Sequence, residues 1–142
     1  MRLTRHTDYA LRVLTHLAVH PQNFSSIAEI SAAFGISQNH LMKVVQRLAA
    51  LGYVETTRGR NGGLRLARDP GDIRVGSVVR ETEESLDLVD CGSCVIAPAC
   101  GLTGALDEAL AAFMAVLDRY TLADLIGRRK RLASLLGLRE AR

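Results

Sequence analysis

The sequence predicts a mainly α-helical protein with one small β-hairpin: a winged helix-turn-helix followed by a long C-terminal dimerisation helix. Three observations carry this. Two apolar-periodic segments stop and restart across Gly35 and Ser37, leaving only a short turn between two helices. Two β-prone runs then flank Arg58-Gly-Arg-Asn-Gly-Gly63. Beyond residue 101, large apolar residues recur at helical spacing from Leu102 to Leu117.

The first helix is expected over Thr7–Val19, where Ala10, Leu11, Val13, Leu14, Leu17 and Ala18 follow helical spacing and Pro21 lies just beyond. The second opens on a capping box, with Ser26 as N-cap and Glu29 placed to reach back to it. Ile27, Ile30 and Phe34 form its apolar stripe, and Gly35 stops it. Ser37 caps the third helix, which runs through Leu41, Val44, Val45 and Leu48 to a stop at Gly52. Its other face carries Gln38, Asn39, His40, Lys43, Gln46 and Arg47, side chains able to hydrogen-bond base edges in a major groove. Taken alone, that face is equally well explained as the solvated side of an amphipathic helix.

The hairpin tips the balance. Tyr53–Thr57 and Leu64–Ala67 alternate as strands do, and Asn61-Gly62 signals a type I′ turn. Arg58 and Arg60 sit at the wing tip, with Arg65 and Arg68 on the return strand, suited to phosphates or a narrow minor groove. Together, helix-turn-helix and basic wing point to double-stranded DNA as partner. Asp69-Pro-Gly-Asp72 reads as a turn, and a further helix fits Val75–Glu83.

The long helix is expected over Leu102–Arg119, with Leu102, Leu106, Leu110, Phe113, Met114 and Leu117 as its stripe. A second copy of the chain would cover that stripe in a homodimer, and packing on the first helix is the alternative. Thr121–Ile126 makes a short helix. Residues 128–142 read as a basic tail, although Leu132, Leu135, Leu136 and Leu138 could dock a last turn. The chain thus divides into a DNA-binding domain (1–80), a cysteine-bearing loop (81–101), the dimerisation segment (102–127) and the tail (128–142).

Charge follows the same division. Residues 1–80 carry 11 Lys and Arg against 5 Asp and Glu, residues 81–127 carry 1 against 9, and residues 128–142 carry 6 against 1. A basic part joined to an acidic one suggests polyanion contact plus a second task. Glu81, Glu83, Glu84, Asp87 and Asp90, on the approach to the cysteines, read as solubilising rather than ligating. With 142 residues the chain fits one domain, or a small domain with an extension. No apolar run approaches the roughly 18 residues of a membrane span. The first residues hold no apolar signal region, so a cytoplasmic chain with reduced thiols is expected.

All three cysteines fall in Asp90-Cys-Gly-Ser-Cys-Val-Ile-Ala-Pro-Ala-Cys100. Thiolates prefer soft metals and iron–sulfur clusters, and Cys91, Cys94 and Cys100 could hold such a centre with one position filled from elsewhere. A Cys91–Cys94 disulfide or three idle thiols are the alternatives. An enzyme is not indicated: His6, His16, His20 and His40 all lie in the DNA-binding half, no nucleophile–base constellation accompanies the cysteines, and Gly59–Gly63 belongs to the wing.

Several of these segments resemble a known family. Met1-Arg-Leu-Thr, Thr7-Asp-Tyr-Ala-Leu-Arg12, Ile36-Ser-Gln-Asn-His-Leu-Met-Lys-Val-Val45, Leu51-Gly-Tyr-Val54 and Arg58-Gly-Arg-Asn-Gly-Gly-Leu-Arg-Leu66 are similar to the winged-helix iron–sulfur regulators that include IscR and NsrR. Cys94-Val-Ile-Ala-Pro-Ala-Cys100 and Leu117-Asp-Arg-Tyr-Thr-Leu-Ala-Asp-Leu125 resemble the NsrR branch in particular. The resemblance implies a homodimeric repressor that senses nitric oxide, with cluster nitrosylation releasing the operator. It implies a 4Fe–4S cluster held by the three cysteines of one subunit and an N-terminal aspartate of the other, at the position of Asp8. Two departures stand out. The Cys-x-x-Cys gap is shorter than is usual in these regulators, which favours a change of cluster type or lability, or zinc. Thr103 occupies the place, three residues after the last cysteine, where IscR-type members carry a histidine, which disfavours a 2Fe–2S centre of that kind; His6 is a substitute candidate beside Asp8. An IscR-like cluster-status or redox regulator and a zinc-stabilised repressor are the alternatives.

Overall fold

The computed structural model describes residues 1–138. The part of the basic tail beyond them lies outside the described residues. Helix α1 (Arg5–Val19) starts two residues before the expected Thr7, because the Thr4 hydroxyl caps it by accepting the Thr7 N–H at 3.3 Å. Ala10, Val13, Leu14, Leu17 and Ala18 bury its inner face, and α1 forms the centre of the main core. Helix α2 (Ile27–Phe34) carries both arms of the capping box, and Gly35 ends it at φ +66°. Helix α3 (Gln38–Ala50) is capped by Ser37, which accepts the His40 N–H, and buries Leu41, Val44, Val45 and Leu48.

The wing comprises β1 (Val54–Thr57) and β2 (Gly63–Leu66), antiparallel, with Val54 opposite Leu66 and Thr57 opposite Gly63. This register overturns the expected type I′ turn at Asn61-Gly62. The connection runs from Arg58 to Gly62 and is closed by the Gly62 N–H on the Gly59 carbonyl at 3.1 Å. A type I′ turn would force positive φ on Asn61. The positive angles fall instead on Gly59 (+106°) and Gly63 (+140°), which carry no Cβ to penalise them. Ser25, ahead of α2, adds a short third segment. Its N–H and carbonyl exchange hydrogen bonds with Leu64 at 2.8 and 2.7 Å, so the wing is tied to the start of the helix-turn-helix.

A single 3-10 turn at Pro70–Asp72 leads to α4 (Val75–Thr82). Helix α5 (Leu102–Asp118) packs on α4 through a second cluster of Val75, Val79 and Met114, bordered by Leu11, Leu110, Phe113 and Leu117. Part of the stripe expected to need a partner is therefore covered within the chain. Arg80 clamps the far end by donating to both Asp118 carboxylate oxygens at 2.6 and 2.7 Å. That contact holds the Asp118 carboxyl below the usual carboxylate range. Helix α6 (Leu122–Leu125) has its own capping box from Thr121 and Asp124.

Over the first part of the basic segment the structure has the docked turn that its leucines allowed, not a free tail. Residues Arg129–Leu135 form a helix, α7, with Ala133 buried and Leu132, Leu136 and Leu138 packed on the main core, while Leu135 stays 72% exposed. Leucines at helical spacing outweigh the local basic charge. Among the described residues no helix is long and apolar enough to cross a membrane.

Candidate nucleic-acid interface and thiol loop

Helix α3 has three exposed aspects, set by its packing. Asn39, Lys43 and Gln46, at i, i+4 and i+7, share the outward face, and all are exposed. Gln38 is exposed beside them, and Ser37 is exposed although its hydroxyl caps the helix. His40 and Arg47 lie on a flank turned towards the rest of the domain. The His40 ring stands edge-on to Tyr9 of α1 with centroids 4.7 Å apart, and Arg47 donates to the Glu81 carbonyl at 3.1 Å. On the opposite flank Met42 is 55% exposed. It lines a concavity with Ile27, Asn39, Gln46 and Thr56, between α3, the start of α2 and β1. Its departure from the helix's own buried positions, 41, 44, 45 and 48, is the sequence signal that marks it.

The four wing arginines divide into two kinds. Arg58 and Arg60 are exposed at the tip and make no ion pair among the described residues. Arg65 pairs with Glu55 across the strands and lies over the Phe24 ring at 4.6 Å. Arg68 donates to the Leu51 and Gly52 carbonyls at 2.9 and 3.1 Å and covers the Tyr53 ring at 4.4 Å. It therefore pins the turn between α3 and β1. Burial, followed by contact with Glu81, pushes the Tyr53 hydroxyl up to about 12, so it remains a neutral donor.

The thiol loop spans from the end of α4 to the start of α5. Its near end is stapled to α1: Thr4 donates from its N–H and hydroxyl to Glu83 Oε1 at 2.7 and 3.1 Å, and the Thr82 hydroxyl lies 2.9 Å from that of Thr7. Within the loop, consecutive turns bring the Cys94 N–H to the Cys91 carbonyl and the Cys100 N–H to the Ala97 carbonyl, at 3.2 and 3.4 Å. All three cysteines are free thiols, Cys94 exposed and the other two half-buried. Cys91 Sγ lies 3.3 Å from the Thr103 hydroxyl of α5. A concavity of about 580 Å³ opens beside it, lined by Asp87, Leu88, Asp90, Cys91, Thr103 and Leu106 among others. Val95 and Ile96 project from the loop, 93% and 60% exposed.

Among the described residues, no three His, Cys, Asp or Glu side chains are arranged to hold a metal ion. The thiols share one loop without converging, and among the described residues no fourth donor joins them. As a donor set they nonetheless fit an iron–sulfur centre: three soft ligands on a short loop that lacks regular helix or strand pairing apart from one 3-10 turn. Asp8 lies in the first turn of α1, where Arg12 grips both its oxygens at 2.9 and 3.0 Å. With side chains 44% and 45% exposed, this pair is a weak one that a second chain can reach. His6 lines a separate cleft with Thr4, Arg47 and Glu81–Glu84.

Known proteins match this arrangement along nearly its whole length. Residues 3–128 match the Rrf2 family, described as an iron-dependent transcriptional regulator. The HTH-type transcriptional regulator NsrR of Bacillus subtilis is 51% identical over 146 residues, covering 99% of this chain and all of that one. NsrR of Geobacillus kaustophilus is 55% identical over 142 residues, covering 96% and 97%. Among solved structures, the IscR of T. potens superposes with a TM-score of 0.77 at 26% identity, covering 93% of this chain and 90% of that one. CymR, the global cysteine regulator of B. subtilis, gives 0.71 at 25% identity, covering 88% and 95%. The winged helix-turn-helix is thus shared with transcription regulators rather than with enzymes, and this chain belongs to the Rrf2 family of transcriptional regulators.

Proposed function

We propose that this chain is a homodimeric, DNA-binding repressor that senses nitric oxide through a 4Fe–4S cluster, held by Cys91, Cys94 and Cys100 of one subunit and Asp8 of the other. One observation carries the reading: all the thiols of the chain lie on a loop whose near end is hydrogen-bonded to α1 and, through Glu81, to the recognition helix. The relatives named NsrR support the signal, and the soft donor set supports the cofactor. When bound, such a cluster supplies iron sites to which nitric oxide adds.

The protein's own residues do the rest. Asp8 is presented at the exposed start of α1 and oriented by Arg12, and a carboxylate is a harder, weaker partner for cluster iron than a thiolate. Because α1 packs on α3, a ligand held at Asp8 sets where the reading face sits. The outer side of α5, with Leu102 and Val116 exposed, fits a second copy. A dimer of this kind places two recognition helices on half-sites about 34–36 Å apart. Asn39, Lys43 and Gln46 then read base edges with Gln38 beside them, Ser37, His40 and Arg47 hold the helix in place, and Arg58 and Arg60 reach phosphates.

The two-residue gap between Cys91 and Cys94 favours a second reading, a zinc-stabilised repressor. Iron, sulfide and zinc analysis of anaerobically prepared protein separates the two, together with operator titrations before and after nitric oxide. Iron and sulfide with a fall in affinity are expected. Affinity unchanged by the gas rejects the switch. In Asp8→Ala the dimer stays folded and the cluster becomes more labile, whereas an unaltered spectrum and stability remove Asp8 from the ligand set.

A further inference from the structure

Met42 is the anomaly of the reading face. Met42 is the one large apolar side chain on the exposed side of α3: this thioether is 55% exposed and sits one helical turn from both Asn39 and Gln46. It is not a leftover of the core, since Leu41, Val44, Val45 and Leu48 already fill the buried face. It lines the concavity between α3, the start of α2 and β1, where Ile27, Val45 and Ala49 are the other apolar residues. Its polar lining is Asn39, Lys43, Gln46 and Thr56. An apolar side chain beside two amides matches the major-groove edge of an A·T pair: the thymine methyl is the one apolar group that edge presents, and amides pair with adenine. A thioether is unbranched and polarizable, so it can follow a methyl group without a preformed slot.

We propose that Met42 is a specificity determinant that reads the 5-methyl group of one thymine in each operator half-site. This rests on the DNA-reading function proposed above, and the test keeps the two apart. Cluster-bearing protein prepared anaerobically is used to select preferred duplexes from a random library. Each thymine of the selected site is then replaced in turn by deoxyuridine, which deletes only the methyl group. At one thymine per half-site the wild type should lose about four-fold in affinity, the value of one buried methyl group. Met42→Ala should bind the two duplexes equally, and Met42→Leu should keep most of the discrimination. Because Met42 is surface-exposed, thermal unfolding of both variants should match the wild type. The proposal is overturned if no thymine methyl matters to the wild type, or if Met42→Ala remains as sensitive as the wild type. A protein that enriches no sequence at all overturns the DNA-reading function and this proposal with it.

Discussion

Gly63 is the wing glycine that combines a positive φ with a close approach to another segment of the chain. Its φ of +140° lies outside the range that L side chains adopt, and a Cβ built there meets the Ser25 carbonyl oxygen at 2.6 Å. Gly63→Ala therefore carries two costs. The backbone strain is about 1–2 kcal/mol. The clash pushes Ser25 away from β2 and weakens the two hydrogen bonds it exchanges with Leu64, at about 1 kcal/mol each. The expected loss is about 2–4 kcal/mol in urea unfolding followed by circular dichroism, or roughly 6–12 °C in Tm for a chain of this size. Gly59→Ala is the comparison, because Gly59 is also at positive φ (+106°) but has nothing within 4 Å. It should lose only the strain part, about 1–2 kcal/mol. If Gly63→Ala falls within about 0.5 kcal/mol of wild type, or loses no more than Gly59→Ala, the Ser25 bridge does not hold the wing as argued.

Three further outcomes follow from the same geometry. Ser26→Ala removes one arm of the α2 capping box and should cost about 1 kcal/mol in urea unfolding, with no change in the denaturant slope. His16 is buried with neither ring nitrogen hydrogen-bonded among the described residues; burial lowers its pKa below the ordinary 6.5, Glu29 opposes that shift and His20 adds to it. The unfolded chain therefore takes up a proton that the folded one refuses. Stability should be flat above pH 6.5 and fall as pH drops below it, and His16→Leu should flatten the acid limb of a pH series of unfolding curves. Arg58→Ala should weaken binding alike on all duplex sequences and lower the slope of log affinity against log salt by about 1, as measured by fluorescence anisotropy.

Elements with local chemical signals were legible in the sequence. Ser26 with Glu29, Ser37, Gly35 and Gly52 delimit α2 and α3 because caps act within one turn and depend on a few named residues. Long-range choices were less legible. Asn61-Gly62 is a turn signal by itself, but the Thr57–Gly63 pairing and the Ser25 bridge moved the positive φ angles to Gly59 and Gly63. Arg65 and Arg68 look like free cations in a list of residues; Glu55 and the Leu51–Gly52 carbonyls, brought close only by folding, occupy them. The helical character of 129–135 depended on leucines meeting a core assembled from the opposite end of the chain. The three thiols were evident as a cluster of ligand types. Their position relative to α1, through Thr4 and Glu83, was not, since those partners lie 79 positions apart.

The staple of Thr4, Thr7, Thr82 and Glu83 separates the grip on α1 from the chemistry of the loop beyond it. Residues 85–101 run between this fastening and the first turn of α5, and within that stretch Leu86 packs on the second cluster and Cys91 touches Thr103. Under the function proposed above, exchanging that stretch changes the ligands it offers while the staple keeps its hold on α1.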